Sequence, residues 1–122
     1  MEFEVKCALC GRSPVGLVDY RCSCGSPLKT TLYMSFDKRK IKKRDYSLWR
    51  YKEFFPYIAE SEKISLGEGW TPLVKLSKSL FFKMDHLNPT GSFKDRGSTV
   101  LISALHKLVR EAGGYISEDS SG

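Results

Sequence analysis

The chain has 122 residues, 41% of them hydrophobic and 28% charged, and its 20 basic and 14 acidic side chains leave a formal net charge of +6. That is the composition of a globular chain, sized for one domain or for one domain with a small module. It contains no run of about 18 apolar residues, which excludes a membrane-spanning helix.

Three segments are predicted. Residues 1–34 carry all four cysteines, and Phe3–Lys6, Val15–Tyr20 and Leu28–Met34 read as short strands around Gly and Pro turns. Met1–Lys6 lacks the apolar stretch of a secretory signal, so a cytoplasmic location is expected. In that reducing compartment metal ligation is a better reading of the cysteines than structural disulfides. Residues 35–63 open with the basic run Lys38-Arg39-Lys40-Ile41-Lys42-Lys43-Arg44. Such a run attracts polyanions, but like charges also repel and stay wet, and no aromatic residue inside it offers a base a surface to stack on. A solvated connector is therefore the favoured reading and a nucleic-acid arm the rival. Ser47–Phe55 is predicted as a short helix ended by Pro56.

Residues 64–122 begin with the Gly67-Glu68-Gly69 turn and a strand over Leu80–Met84, followed by the turn Asn88-Pro89-Thr90-Gly91. A long helix comes next. Ser92 suits its N-cap, Asp95 its first turn, and Gly113-Gly114 its end. Val100, Leu101, Ala104, Leu105, Leu108, Val109 and Ala112 recur between them at helical spacing. A second strand is expected to start at Tyr115-Ile116. Strand, helix, strand predicts an α/β unit with a parallel sheet, whose faces one such unit leaves under-covered.

Cys7-Ala8-Leu9-Cys10-Gly11 and Cys22-Ser23-Cys24-Gly25 form two knuckles. Two thiolates on each of two tight turns make the four-sulfur tetrahedral set that Zn²⁺ prefers, which would be a structural and not a catalytic site, since no open position remains. The second pair has a one-residue spacer instead of two, which strains that knuckle. Free thiols, or a disulfide formed on oxidation, are the alternative.

Lys94 falls at the start of the long helix, where a cation opposes the helix dipole. At 100° per residue it shares a stripe with Leu101, Leu105 and Leu108, so it is expected along the apolar face. Both placements disfavour the ammonium form, and a neutral amine is what a Schiff-base nucleophile requires. The competing reading is a lysine that packs its stem and snorkels its head. His86 and His106 read as structural or solvated, and Trp49 and Trp70 as core or interface residues. Asp95 and Arg96 read as a local pair or as holding the turn. Glu68 either approaches a substrate or packs its turn.

The stretch Asn88-Pro89-Thr90-Gly91-Ser92-Phe93-Lys94-Asp95-Arg96-Gly97 resembles the cofactor-lysine motif of the threonine synthase family, pyridoxal-phosphate enzymes of the tryptophan-synthase β type. Trp49-Arg50-Tyr51 and Ile64–Leu73 are similar to the segment these enzymes carry upstream of the lysine, and a cysteine module precedes many members. The resemblance implies a zinc-ribbon-like module over 1–34, a connector with a short helix over 35–63, and the incomplete front of a cofactor domain over 64–122. It implies that Lys94 attaches pyridoxal phosphate and later shuttles protons, with Phe93 beside the ring. Ser120, Ser121 and Gly122 would begin the loop for the substrate carboxylate. The activity implied is conversion of O-phosphohomoserine to threonine and phosphate. A threonine dehydratase or cysteate synthase type of activity is the near alternative, and a non-enzymatic zinc-ribbon module with a basic arm the distant one. The family's phosphate-cradling glycine loop is absent. The chain alone is therefore expected to be inactive and to self-associate through uncovered apolar surface.

Overall fold

A computed structural model describes residues 3–16, 19–55 and 58–117. The chain divides into two compact units, Met1–Asp37 and Lys38–Gly122. No helix among the described residues is long and apolar enough to cross a membrane.

In the first unit, β1 (Phe3–Cys7) pairs antiparallel with β2 (Leu28–Leu32), Phe3 opposite Leu32 and Cys7 opposite Leu28. Cys7 thus ends a strand and opens a knuckle at once. The knuckle closes through Cys7 N–H to the Arg12 carbonyl at 2.8 Å and Gly11 N–H to the Cys7 carbonyl at 3.1 Å. The second knuckle is closed by Gly25 N–H to the Cys22 carbonyl at 2.8 Å and by an isolated bridge between Arg21 and Pro27. Ala8 N–H donates to the Pro27 carbonyl at 3.0 Å and ties the two knuckles together. The expected strand over Val15–Tyr20 does not form at its described residues. There the Asp19 carboxylate accepts from the N–H groups of Val15 and Gly16 at 3.0 and 2.8 Å. A short polar side chain that bonds nearby backbone offers it an alternative to a sheet ladder. Leu17, Val18 and Pro56 lie outside the described residues.

The second unit starts with a 3₁₀ turn at Lys38–Lys40, and the basic run is exposed at these three residues, Lys43 and Arg44. Lys42 is tied down, its N–H donating to the Arg50 carbonyl at 2.9 Å and its amine lying 3.3 Å from Glu60. Leu48–Phe54 is a 3₁₀ helix interrupted at Tyr51. Its cap is Ser47, whose hydroxyl accepts from Trp49 N–H at 3.1 Å. Trp49 is buried, and its indole N–H donates to the Ile64 carbonyl at 2.9 Å.

β3 (Leu73–Lys75) and β4 (Phe81–Lys83) form an antiparallel hairpin, Leu73 opposite Lys83. Every residue of it is exposed. The expected parallel sheet is therefore corrected. The strand over Leu80–Met84 is β4, and it pairs with the strand just before it, because Leu76 and Ser77 N–H groups both reach the Leu80 carbonyl and close a short loop. Tyr115-Ile116 is not a strand, and it pairs with none of the described strands. The architecture is a small mixed α/β one.

The helix α1 (Asp95–Glu111) ends as expected. Gly113 N–H bonds the Arg110 carbonyl at 3.0 Å and Gly114 N–H the Val109 carbonyl at 2.9 Å, a Schellman stop. Its buried residues, however, are Asp95, Thr99 and Ser103, a polar stripe at i, i+4 and i+8. The expected apolar face lies about 150° round the helix, by 100° per residue, and is the open one. Leu101 is 53% and Leu108 37% exposed. Lys94 is exposed as well, so solvent and not apolar packing surrounds its amine.

Candidate active site and cysteine centre

Lys94 sits just before α1, in a turn built by short-range bonds. Ser92 Oγ accepts from Lys94 N–H at 3.2 Å, and Asp95 N–H reaches back to the Ser92 carbonyl at 3.3 Å. The turns here are tighter than α-helical, which is why the helix starts one residue after Lys94 and not with it. The carboxylate of Asp95 folds back over the same turn, accepting from the Thr90 N–H at 2.9 Å and the Thr90 hydroxyl at 2.5 Å. A reach of this kind from the first turn satisfies orphan donors and favours the helix dipole.

Arg96 does not pair with Asp95. Its guanidinium reaches Asp85 at 2.9 and 3.3 Å, and Thr71 Oγ at 3.1 Å. The Thr71 hydroxyl in turn donates to Asp85 at 2.6 Å, and the Lys83 amine donates to the Thr71 carbonyl. The Arg96 guanidinium, then the Thr71 hydroxyl, hold the Asp85 carboxyl down at about 2. Asn88 couples this loop to the glycine turn: its carbonyl oxygen accepts from Gly69 N–H at 3.0 Å and its amide donates to the Asp85 carbonyl at 2.7 Å. Gly69 has no substitute here. Its φ is +101°, and a Cβ would lie 2.7 Å from the Leu48 nitrogen.

Behind the turn sits Glu68, fully buried. One of its oxygens accepts from the Ser65 hydroxyl at 2.9 Å and Leu66 N–H at 2.8 Å, the other from the Thr99 hydroxyl at 3.0 Å. Its carbonyl accepts from Leu48 N–H at 2.7 Å. Glu68 therefore packs its turn instead of facing outward. The side chain of Ser103 continues the seam, accepting from Ile64 N–H at 2.9 Å and donating to the Thr99 carbonyl at 2.6 Å. Asp85, Thr71, Thr99 and Ser103 escape the sequence reading. The one signal for the last two is their i+4 and i+8 spacing from Asp95.

Lys94 and Phe93 are adjacent and both exposed, Phe93 by 65%. Ser120, Ser121 and Gly122 lie outside the described residues. His106 is turned onto its own helix, its Nδ1 3.2 Å from the carbonyls of Ile102 and Ser103.

The four sulfurs of Cys7, Cys10, Cys22 and Cys24 all lie within 4.8 Å of one another. Cys7 is 3.5 Å from Cys24, Cys10 is 3.6 Å from Cys22, and Cys24 is 3.8 Å from Cys10. Four sulfurs at about 2.3 Å from a tetrahedral Zn²⁺ stand about 3.8 Å apart, so this donor set fits the ion. The N–H groups of Leu9 and Cys10 both point at Cys7 Sγ at 3.4 Å. The Cys10 N–H, ahead of the Leu9 N–H, pulls the Cys7 thiol down to about 6 against its burial. The Arg12 guanidinium, 3.3 Å from Cys10 Sγ, lowers that thiol too. The one-residue spacer between Cys22 and Cys24 does not keep their sulfurs out of the cluster.

A family model described as pyridoxal-phosphate dependent enzyme matches residues 64–122. Threonine synthase of Methanocaldococcus jannaschii is 36% identical over 126 residues, covering 92% of this chain and 31% of the relative. That of Methanosarcina acetivorans is 36% identical over 119 residues, covering 87% of this chain and 29% of the relative. That of Halalkalibacterium halodurans is 41% identical over 88 residues, 62% of this chain and 24% of the relative. The chain thus spans under a third of the length of these relatives. No solved structure matches it. The turn that presents Lys94 and these likenesses agree: the chain belongs to the threonine synthase family, of which it matches the N-terminal portion.

Proposed function

We propose that this chain carries the cofactor lysine of a threonine synthase, Lys94, and that the protein to which it contributes converts O-phosphohomoserine to threonine and phosphate. The observation that carries the reading is the fixed turn Asn88–Asp95, which leaves the Lys94 amine open next to Phe93. Pyridoxal phosphate, bound through that amine, acts as the electron sink for reactions at an amino acid's carbons. The chain's own part is to hold the lysine. Asp95 locks the turn before it, Arg96 and Asp85 lock the loop behind it, and Glu68 anchors the helix through Thr99. In this reading the free Lys94 amine takes and returns the substrate's protons, Phe93 flanks the ring, and Ser120, Ser121 and Gly122 start the carboxylate loop. A threonine dehydratase or cysteate synthase type of activity uses the same lysine and differs in the substrate.

Cys7, Cys10, Cys22 and Cys24 are proposed to hold one structural Zn²⁺, in keeping with the spacing of their sulfurs and a cytoplasmic location. The chain by itself is proposed to be inactive and to self-associate.

Incubation with pyridoxal phosphate, reduction with borohydride and peptide mapping tests the lysine. A pyridoxyl group on Lys94 in preference to the other lysines is the expected result, lost in Lys94→Ala. Label spread evenly over surface lysines would overturn it. Phosphate release from O-phosphohomoserine, above the rate with free cofactor and dependent on Lys94, would show the chain active alone.

A further inference from the structure

Arg50 takes no part in the networks around Lys94, yet its half-buried side chain stacks on a ring and has two sealed nitrogens. Its N–H donates to the Ser47 carbonyl at 3.3 Å and its carbonyl accepts from Lys42. Its guanidinium carbon lies 4.0 Å over the centroid of the Trp70 ring. Two of its nitrogens, Nε and Nη1, are buried and have no hydrogen-bond acceptor among the described residues. No carboxylate among the described residues forms an ion pair with it either.

A guanidinium is always charged and carries five donors, and a charge withdrawn from water without a counter-ion is costly. The Trp70 face offsets part of that cost by a cation–π contact. The rest calls for an anion. Nη2, which is not among the sealed atoms, is the edge on which one can dock.

Trp70 marks the place independently. It alone among the described non-glycine residues has a positive φ, +49°. Such strain persists where surrounding structure enforces it, and it gathers at ligand clamps. The ring is 57% exposed, with Tyr46 edge-on at 5.2 Å. The residues on either side of Trp70 are bound to the lysine segment, Gly69 to Asn88 and Thr71 to Arg96. The Arg50–Trp70 pair is thus fixed to the segment that carries Lys94.

We propose that Arg50 and Trp70 form a seat for the oxyanion of a small-molecule ligand, a phosphate ester or a carboxylate. Arg50 supplies the charge and the Nη2 edge, and the Trp70 ring holds the guanidinium plane in one orientation. This rests on the reading of Lys94 as the reacting residue only in supposing that the same ligand meets both.

The test uses the whole chain without cofactor. Inorganic phosphate is titrated in at constant ionic strength against chloride, following the Arg50 Nε–H resonance and tryptophan emission. Trp49 is 1% exposed, so a change in emission reports Trp70. A saturating response is expected, weakened at least tenfold in Arg50→Met. Acetate run in parallel separates the sources: saturation by both anions assigns a general oxyanion seat, and saturation by phosphate alone a phosphate seat. A linear response equal to that of chloride, or an unmoved Arg50 resonance, overturns the proposal. If Arg50→Met loses the helical signal, the wild-type resonance decides alone. Neither turnover nor the Lys94 adduct enters the measurement, so failure at Lys94 and failure at Arg50 are separate results.

Discussion

The two units of this chain reach order by opposite chemistries, and neither uses a large apolar core. In the first, Cys7 is the one buried apolar residue among those described, and the centre of the structure is four sulfurs. In the second, among the described residues, two apolar side chains, Trp49 and Ile58, share the interior with six polar ones: Glu68, Thr71, Asn88, Asp95, Thr99 and Ser103. With the proposed zinc bound, one unit would concentrate its stability in a site for a single ion, which a chelator can remove. The other spreads it over hydrogen bonds, whose net gain is modest but whose loss leaves buried groups unpaired.

Metal removal should separate the units most sharply. Structural Zn²⁺ in small modules is worth roughly 10–16 kcal/mol of apparent binding energy, and that energy is folding energy. A chelator at neutral pH should collapse the dispersed amide resonances of the described residues from Phe3 to Asp37 and leave the helical signal of α1 in place. Cys7→Ser should reduce bound zinc from about one equivalent to near zero. Native-like resonances from the first unit in a zinc-free chain would break the contrast, because the sulfurs would then not be its organising centre.

The polar seam is probed at its centre. Glu68→Ala strips partners from the Ser65 and Thr99 hydroxyls and from the Leu66 N–H, and it opens a cavity. A loss of about 3–5 kcal/mol is expected in chemical denaturation followed by the α1 signal, with the first unit unaffected. Glu68→Gln keeps most acceptors and the volume, so it should recover more than half of that loss. Equal effects of the two substitutions would show that the seam depends on charge and not on hydrogen-bond pairing.

This contrast also explains which parts were legible in sequence. β1, β2 and the knuckles announce themselves through strand-forming residues and cysteine spacing. Gly113-Gly114 marks the C-terminal end of α1 and Asp95 its first turn, but the expected cap Ser92 does not cap it: the helix starts two residues later, with Lys94 at the N-cap and no side-chain bond there. The polar seam is not legible, because apolar periodicity tells which face of a helix is greasy, not which neighbour the chain supplies. Leu101, Leu105 and Leu108 define the strongest pattern, yet the described residues pack on Asp95, Thr99 and Ser103. Glu68 between two glycines reads equally as facing a substrate or as packing its turn, and only its three donors, two in the turn and one 31 residues away, decide for packing. β3 is three residues long and follows Pro72, too short to show a period. The turn at Lys94 is the opposite case, since its ten residues spell out both the local structure and the family.

A smaller effect is expected from acid. Asp85 has its carboxyl held at about 2 instead of 3.8, first by Arg96 and then by Thr71. A depressed folded-state value means that this interaction stabilises fully above about 3.8 and is lost as pH falls through about 2. The second unit should therefore lose part of its stability across that window in a melt monitored by α1. Asp85→Asn should flatten the pH dependence there and lower stability at neutral pH. An unchanged acid profile in Asp85→Asn would show that other carboxylates govern it. Because both partners are more than a quarter exposed, the change should be partial and should shrink with added salt.

The smallest effect on stability should come from the open face of α1, which sharpens the comparison from the other side. Leu101 is 53% exposed, so its replacement by Gln removes little buried area, and the melting curve should move by no more than about 0.5 kcal/mol. Association is a different matter. Leu101, Leu108 and Phe93 are exposed along with the hairpin residues Leu73, Val74, Phe81 and Phe82, all within the second unit. Apolar surface of that extent favours burial against another molecule. The first unit exposes Leu9, Val15 and Leu32 as well, so substitutions are needed to tell the two apart. Sedimentation of the chain over a range of concentrations should reveal dimers or larger species, and Leu101→Gln should shift that equilibrium toward monomer several-fold. If the substitution leaves association unchanged while a second one on the hairpin, Phe82→Thr, abolishes it, the hairpin and not the helix is the sticky surface. If neither changes it, association does not run through the second unit's apolar residues. The polar seam would then be no sign that the chain has left its greasy side for something else to cover.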